Sequence, residues 1–182
     1  KGGGFLIESG GDIFTPEDFS EEHIMVQDMV SDFVENEIKT KMEKIEDMDY
    51  NTIESLIKEA GELGLLGVDV SEKYGGAGMS KIAASIVAEE LGRAGSFSVS
   101  IGAHSGIGTL PIVYYGTESQ KEKYLPKLLT GEYVGSYALT EPSSGSDALS
   151  AKTKAVLSKN KKHYVLNGTK QFITNAGFAF LF

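Results

Sequence analysis

The sequence has no cysteine, no tryptophan and only four prolines in 182 residues. Without cysteine there is neither a disulfide framework nor a thiolate metal site. His23, His104 and His163 stand far apart, so no pair has ligand spacing and no metal is expected. No apolar run approaches the ~20 residues that span a bilayer. Positive charge is short too: 17 Lys and Arg against 26 Asp and Glu leave a net charge of −9, which argues against nucleic acid as a partner.

What is present, 41% hydrophobic and 24% charged residues, reads as a globular chain able to bury a core. The charge is uneven. From residue 133 onward Lys152, Lys154, Lys159, Lys161, Lys162 and Lys170 stand against only Glu141 and Asp147, a net +4 that leaves −13 for the rest. Such a tract suits a polyanionic ligand, although lysines at 159–162 serve equally to blunt exposed strands. The chain opens on Lys1-Gly2-Gly3-Gly4 and closes on the strand-like Phe178-Ala179-Phe180-Leu181-Phe182, so a fragment of a longer protein is expected.

Residues 1–17 read as a loosely held arm, rich in glycine. Ser20 then caps a helix whose buried stripe is expected at Ile24, Met25, Met29, Phe33, Val34 and Ile38, followed by a charged loop at 39–49. Asn51 or Thr52 starts a second helix through Ile53, Leu56, Ile57 and Ala60, ended by Gly61 or Gly64. The glycine loop Tyr74-Gly75-Gly76-Ala77-Gly78 lacks a Walker lysine and a preceding strand, so it reads as a connector. Ser80 caps a third helix with Ile82, Ile86, Val87 and Leu91 inward and Glu89, Glu90 and Arg93 outward.

Residues 97–115 are apolar all round, the pattern of a central helix buried on every side, with a bare groove at Gly102 and Gly106. Thr117 and Gln120 form a capping box for a fifth helix, crowded by Pro126 and ended near Gly131. There the period changes from near four to two. The expected architecture is α+β: an all-α bundle at 18–131, then the first strands of a β-barrel-like unit at 132–182. Strands are expected at 133–140, 151–157, 163–166 and 169–174, with a turn at 159–162 and a type I′ hairpin turn at Asn167-Gly168.

The first of these strands runs into a loop of small hydroxyls, Ser143-Ser144-Gly145-Ser146, suited to close approach of a phosphate. In order, Leu139-Thr140-Glu141-Pro142-x-x-Gly145-Ser146-Asp147 resembles the signature of the acyl-CoA dehydrogenases. Thr169-Lys170-Gln171-Phe172-Ile173-Thr174-Asn175 is similar to the family's second flavin segment. Tyr115-Gly116-Thr117, continuing through Tyr124-Leu125-Pro126, resembles the helix before the first, and the glycine loop at 74–78 also has a counterpart. The likeness runs from about Asp18 onward.

The resemblance implies an FAD enzyme that desaturates acyl-CoA thioesters at Cα–Cβ in fatty acid β-oxidation. A glutamate base takes the α-proton, the β-hydride goes to the flavin, and an electron-transferring flavoprotein reoxidises it. It implies that Tyr137, Leu139 and Thr140 meet the isoalloxazine and that Gly145 and Ser146 lie near the pyrophosphate, with Ser146 also reaching CoA. Phe172, Ile173 and Thr174 would pack on the flavin, Phe172 standing where the family usually has Trp and so offering a smaller face without an indole donor. Gly102 and Gly106 would border the acyl pocket, and the pattern around residues 101–104 and 141–145 looks most like the long and very-long-chain branch. Close helix packing explains those two glycines equally well.

The family also implies a dimer or tetramer, in bacterial cytoplasm or the mitochondrial matrix. An acyl-CoA oxidase or related flavin monooxygenase of the same fold fits these motifs as well, and an interaction module without a cofactor is the reading outside enzymes. The family's base lies beyond the β unit, so no catalytic residue is expected in this chain, and Glu141 is not assigned that role. The 182-residue chain alone should therefore show no acyl-CoA desaturation, and turnover of any acyl-CoA by it in a dye-coupled assay would overturn that expectation.

Overall fold

A computed structural model gives the fold and describes residues 14–181. Most of the expected arm, residues 1–13, lies outside the described residues, as does Phe182. The first helix, α1 (Glu21–Phe33), opens on a reciprocal cap: the His23 N–H donates to Ser20 Oγ and the Ser20 N–H to His23 Nδ1, each at 3.3 Å. It continues through a π-type turn, Val34–Ile38. The buried row is Val26, Val30, Phe33, Val34 and Ile38, whereas Ile24 and Met25 are exposed, which corrects the expected stripe. Apolar residues stand on more than one face of α1, and spacing alone does not say which faces the core.

The stretch expected as a loop at 39–49 instead holds a short turn, Lys39–Lys41, and helix α2 (Met42–Glu46), anchored by buried Ile45. Helix α3 (Tyr50–Glu62) is capped two or three residues earlier than expected, by Asp49, which accepts from Asn51 N at 3.2 Å and Thr52 Oγ1 at 2.8 Å. Ile53, Leu56, Ile57 and Ala60 are buried as their spacing requires. Left-handed Gly64 (φ 76°) ends the run. In the glycine connector Ala77 N, Gly78 N and Met79 N donate to the carbonyls of Gly67, Val70 and Val68, so these donors are not left for a phosphate.

Helix α4 (Lys81–Leu91) packs on α1. Glu90, expected outward, is buried there, accepting from Gln27 Nε2 at 3.0 Å and Arg93 Nη1 at 2.6 Å. A carboxylate inside is tolerated because both partners reach it. The central run is three pieces, α5 (Phe97–Gly102), a π-type segment (Ala103–Gly108) and α6 (Leu110–Tyr115). It is not buried on every side: Val99, Ile107, Tyr114 and Tyr115 are exposed. Helix α7 (Glu118–Leu129) keeps the Thr117–Gln120 capping box and tolerates Pro126 inside it.

The β part is smaller than expected. Strands β1 (Lys154–Leu157) and β2 (Tyr164–Asn167) pair antiparallel, Lys154 opposite Asn167 and Leu157 opposite Tyr164, around the turn at 159–162. Residues 133–140 form no ladder; Gly135 makes a single parallel bridge to Leu181. Nor do residues 169–174 form a strand, and Asn167-Gly168 makes no hairpin, because Gly168 lies against Thr153. Extended propensity becomes a strand only where a run of ladder bonds forms, and among the described residues these stretches exchange only isolated bonds.

Buried His104 joins the two parts. The Gly135 N–H donates to His104 Nδ1 at 2.9 Å, which leaves the proton on Nε2 to donate to Leu128 O at 2.9 Å. Burial, only partly opposed by the Leu128 bond, lowers its pKa to about 4. Since the unfolded imidazole titrates near 6.5, the unfolded chain binds the extra proton first. Stability should thus fall as pH drops from about 6.5 to 4, by on the order of 3 kcal/mol. Thermal unfolding of the intact protein across that range checks this, and His104→Leu should be less stable at neutral pH and lose that slope.

Candidate functional site

The site is built where the extended segment 133–141 meets the returning segment 170–175. Gln171 N donates to Thr140 O at 2.9 Å, Lys170 Nζ to Leu139 O at 2.9 Å, and Ser136 Oγ to Thr174 O. The two stretches singled out in the sequence thus lie edge to edge, although neither is a formal strand. Tyr137 and Leu139 expose much of their apolar surface, and Thr140, Ile173 and Thr174 are half-buried.

Phe172 is unusual. Its backbone is left-handed (φ 56°) and its ring is 86% exposed. For a bulky residue that conformation costs about 1–2 kcal/mol, a cost found where function or surroundings fix it. Asn175, also left-handed (φ 67°), is buried and donates through Nδ2 to Ser100 O at 2.9 Å, which ties the segment to α5.

Glu141 organises the loop. It is 4% exposed, its carboxylate accepts from Lys152 N (2.6 Å) and Thr153 N (3.0 Å), and it forms an ion pair with Lys170 Nζ (2.9 Å). Hydrogen bonding from Thr153, then Lys170, then Lys152 holds its carboxyl down at about 2. Held in its charged form by these contacts, it is a poor proton acceptor, in keeping with a structural place in the motif. Its own N–H and that of Ser144 close the turn 141–144 on each other's carbonyls. Beyond it Gly145 and Ser146 are exposed, and a Cβ at Gly145 would meet nothing within 4 Å.

Among the described residues, the main-chain N–H groups of Leu139, Thr140, Gly145 and Ser146 donate to no protein acceptor. Exposed apolar faces beside unspent donors, ending in a loop of small residues, suit a flat ring system with a polar edge and a phosphate tail. FAD has that chemistry, and the residues present fit it.

Gly102 and Gly106 lie elsewhere, on a hollow of about 590 Å³ between α4 and the α5 run, with Leu65, Val68, Val87, Leu91 and Ile101 among its walls. None of the eight cofactor positions lines it. A Cβ at either glycine would meet nothing within 4 Å, so neither serves close helix packing. Sequence reasoning missed Lys170 and Asn175 as anchors and gave no partner for Glu141. The partners lie 11 to 75 residues away, and no local pattern announces them.

A helical bundle hands an extended segment to a surface that suits a flat ligand, and comparison with known proteins supplies the class, that of flavin-binding dehydrogenases. The acyl-CoA dehydrogenase N-terminal domain model matches residues 20–132 and the middle domain model residues 136–182. The chain belongs to the acyl-CoA dehydrogenase family. A probable acyl-CoA dehydrogenase of Bacillus subtilis is 54% identical over the whole of this chain and 31% of its own length. The mitochondrial isovaleryl-CoA dehydrogenase of Pongo abelii is 40% identical over 86% of this chain and 37% of its own. The crystal structure of acyl-CoA dehydrogenase complexed with FAD from Bacillus anthracis matches with a TM-score of 0.90 at 56% identity, over 92% of this chain and 29% of that one. The chain thus spans about a third of the length of these relatives. No helix among the described residues is long and apolar enough to cross a membrane.

The lowered pKa of Glu141 has a pH signature distinct from that of His104. An unfolded carboxyl titrates near 4.5, so stability present above that value should be lost as pH falls from 4.5 towards 2. Acid unfolding of the intact protein checks this, with Glu141→Gln flattening that limb of the profile while the limb between 6.5 and 4 remains.

Proposed function

We propose that the intact protein carrying this chain is an FAD-dependent acyl-CoA dehydrogenase, oxidising acyl-CoA thioesters at Cα–Cβ in fatty acid β-oxidation. The observation that carries this is the edge-to-edge bonding of residues 139–141 with 170–171, which makes one surface of the two flavin-like motifs. Bound FAD supplies the two-electron acceptor. Tyr137, Leu139 and Thr140 orient its ring system, Thr140 at the polar edge. Gly145 and Ser146 offer main-chain donors to the pyrophosphate, and Ser146 reaches CoA. Phe172 and Ile173 cover an apolar face, with the Thr174 hydroxyl beside it, and together they keep water from the reacting atoms.

The proton-abstracting base lies outside these residues. Electrons pass to an electron-transferring flavoprotein, and the protein works as a dimer or tetramer in bacterial cytoplasm or the mitochondrial matrix. We divide the chain into an arm at 1–17, a helical unit at 18–131 and part of a flavin-binding β unit at 132–182. The open flank at Gly102 and Gly106 supports an acyl pocket deep enough for the long and very-long-chain thioesters.

The purified intact protein should be yellow, and anaerobic addition of palmitoyl-CoA should bleach its flavin band. A colourless preparation that takes up no FAD would sink the reading, and rapid reoxidation by oxygen with indifference to an electron-transferring flavoprotein would favour an oxidase. Gly102→Leu should lower kcat/KM for C16 relative to C4 thioesters by about tenfold, the scale of a few lost methylene contacts. An unchanged chain-length preference would remove the acyl-pocket role.

A further inference from the structure

We propose that Glu141 is a positioning residue for the cofactor: with Lys170 it forms a clasp that holds Phe172 in its left-handed backbone conformation, presenting the phenyl ring on the patch that carries Leu139 and Thr140. This rests on the flavin reading above. A bulky residue at φ 56° relaxes unless its surroundings over-determine it. The ring is 86% exposed, so core packing does not hold it and the restraint must come through the main chain.

Directly before Phe172 that restraint is dense. Lys170 Nζ donates to Leu139 O and forms an ion pair with Glu141 Oε1, each at 2.9 Å, and Gln171 N donates to Thr140 O at 2.9 Å. Glu141 is in turn fixed by Lys152 N and Thr153 N, which anchors the clasp to the lead-in of β1. After Phe172 the tethers are neutral, Ser136 Oγ to Thr174 O and Asn175 Nδ2 to Ser100 O. Only the upstream side depends on charge, so its loss should free Phe172 while the neutral tethers downstream persist.

The test uses the intact apoprotein, titrated with FAD and followed by flavin fluorescence and by the absorption band of the bound ring. Glu141→Gln and Lys170→Met should each raise Kd for FAD by about tenfold, the scale of one charge-assisted hydrogen bond, and change the bound flavin's band shape. Lys170→Arg, which keeps charge and donors, should stay within about threefold of wild type. A merely structural role would lower Tm and leave the spectrum of the folded holoprotein alone. Should Glu141→Gln not fold, Lys170→Met decides. Wild-type Kd and band shape in Lys170→Met, or equal losses in Lys170→Arg and Lys170→Met, would overturn the clasp. A wild-type apoprotein that takes up no FAD would sink the flavin reading itself.

Discussion

A carboxylate taken out of water must be met by donors, because an unpaired buried charge costs several kcal/mol. Glu141 imposes that condition on the second half of the chain. Its donors come from two separate places, 152–153 and 170, so both must be in position at once. This explains how the region is ordered with only a two-stranded sheet among the described residues. Strands β1 and β2 are exposed along their whole length, and a two-stranded hairpin is marginal by itself. The carboxylate does the fastening that ladder hydrogen bonds do elsewhere.

The helical half was largely legible because its signals are local. The capping residues Ser20, Ser80 and Thr117, and the recurrence of Ile53, Leu56, Ile57 and Ala60, are contained within a turn or two of chain. What failed there was phase: Val26 and Val30 won the core from Ile24 and Met25, which compete with them at similar spacing. In the β half the motifs and the paired strands at 154–157 and 164–167 were legible, and the strands expected at 133–140 and 169–174 were not there. Residues 133–140 and 169–174 have strand-like side chains, yet pairing is a property of two segments, and here they exchange isolated bonds instead of a ladder. The partners of His104 and Glu141, and Gln27 beside Glu90, were invisible for the same reason.

The two halves are coupled by Val134 and Phe178 packing on the helical core and by a short series of polar contacts. Gly135 donates to His104, its carbonyl accepts from Asn175 Nδ2 at 3.4 Å, and Asn175 reaches Ser100 on α5. Gly108 and Gly135 approach so closely that a Cβ on Gly108 would sit 2.8 Å from the Gly135 carbonyl carbon. The segment proposed to orient the flavin is therefore seated directly on the helical run that carries Gly102 and Gly106. A side chain that shifted this run would move both surfaces together.

Those two glycines stand apart from others in the chain. Gly61, Gly108 and Gly131 are small because backbone comes within about 3 Å of where a Cβ would be, and Gly64 and Gly75 supply positive φ at turns. Gly102 has ordinary helical dihedrals, and neither it nor Gly106 has a neighbour within 4 Å. Within a helical run each glycine costs about 1 kcal/mol relative to alanine. Neither packing nor backbone geometry offsets that cost here. What the missing side chains do provide is room in the wall of the 590 Å³ hollow, the feature on which the proposed acyl pocket rests.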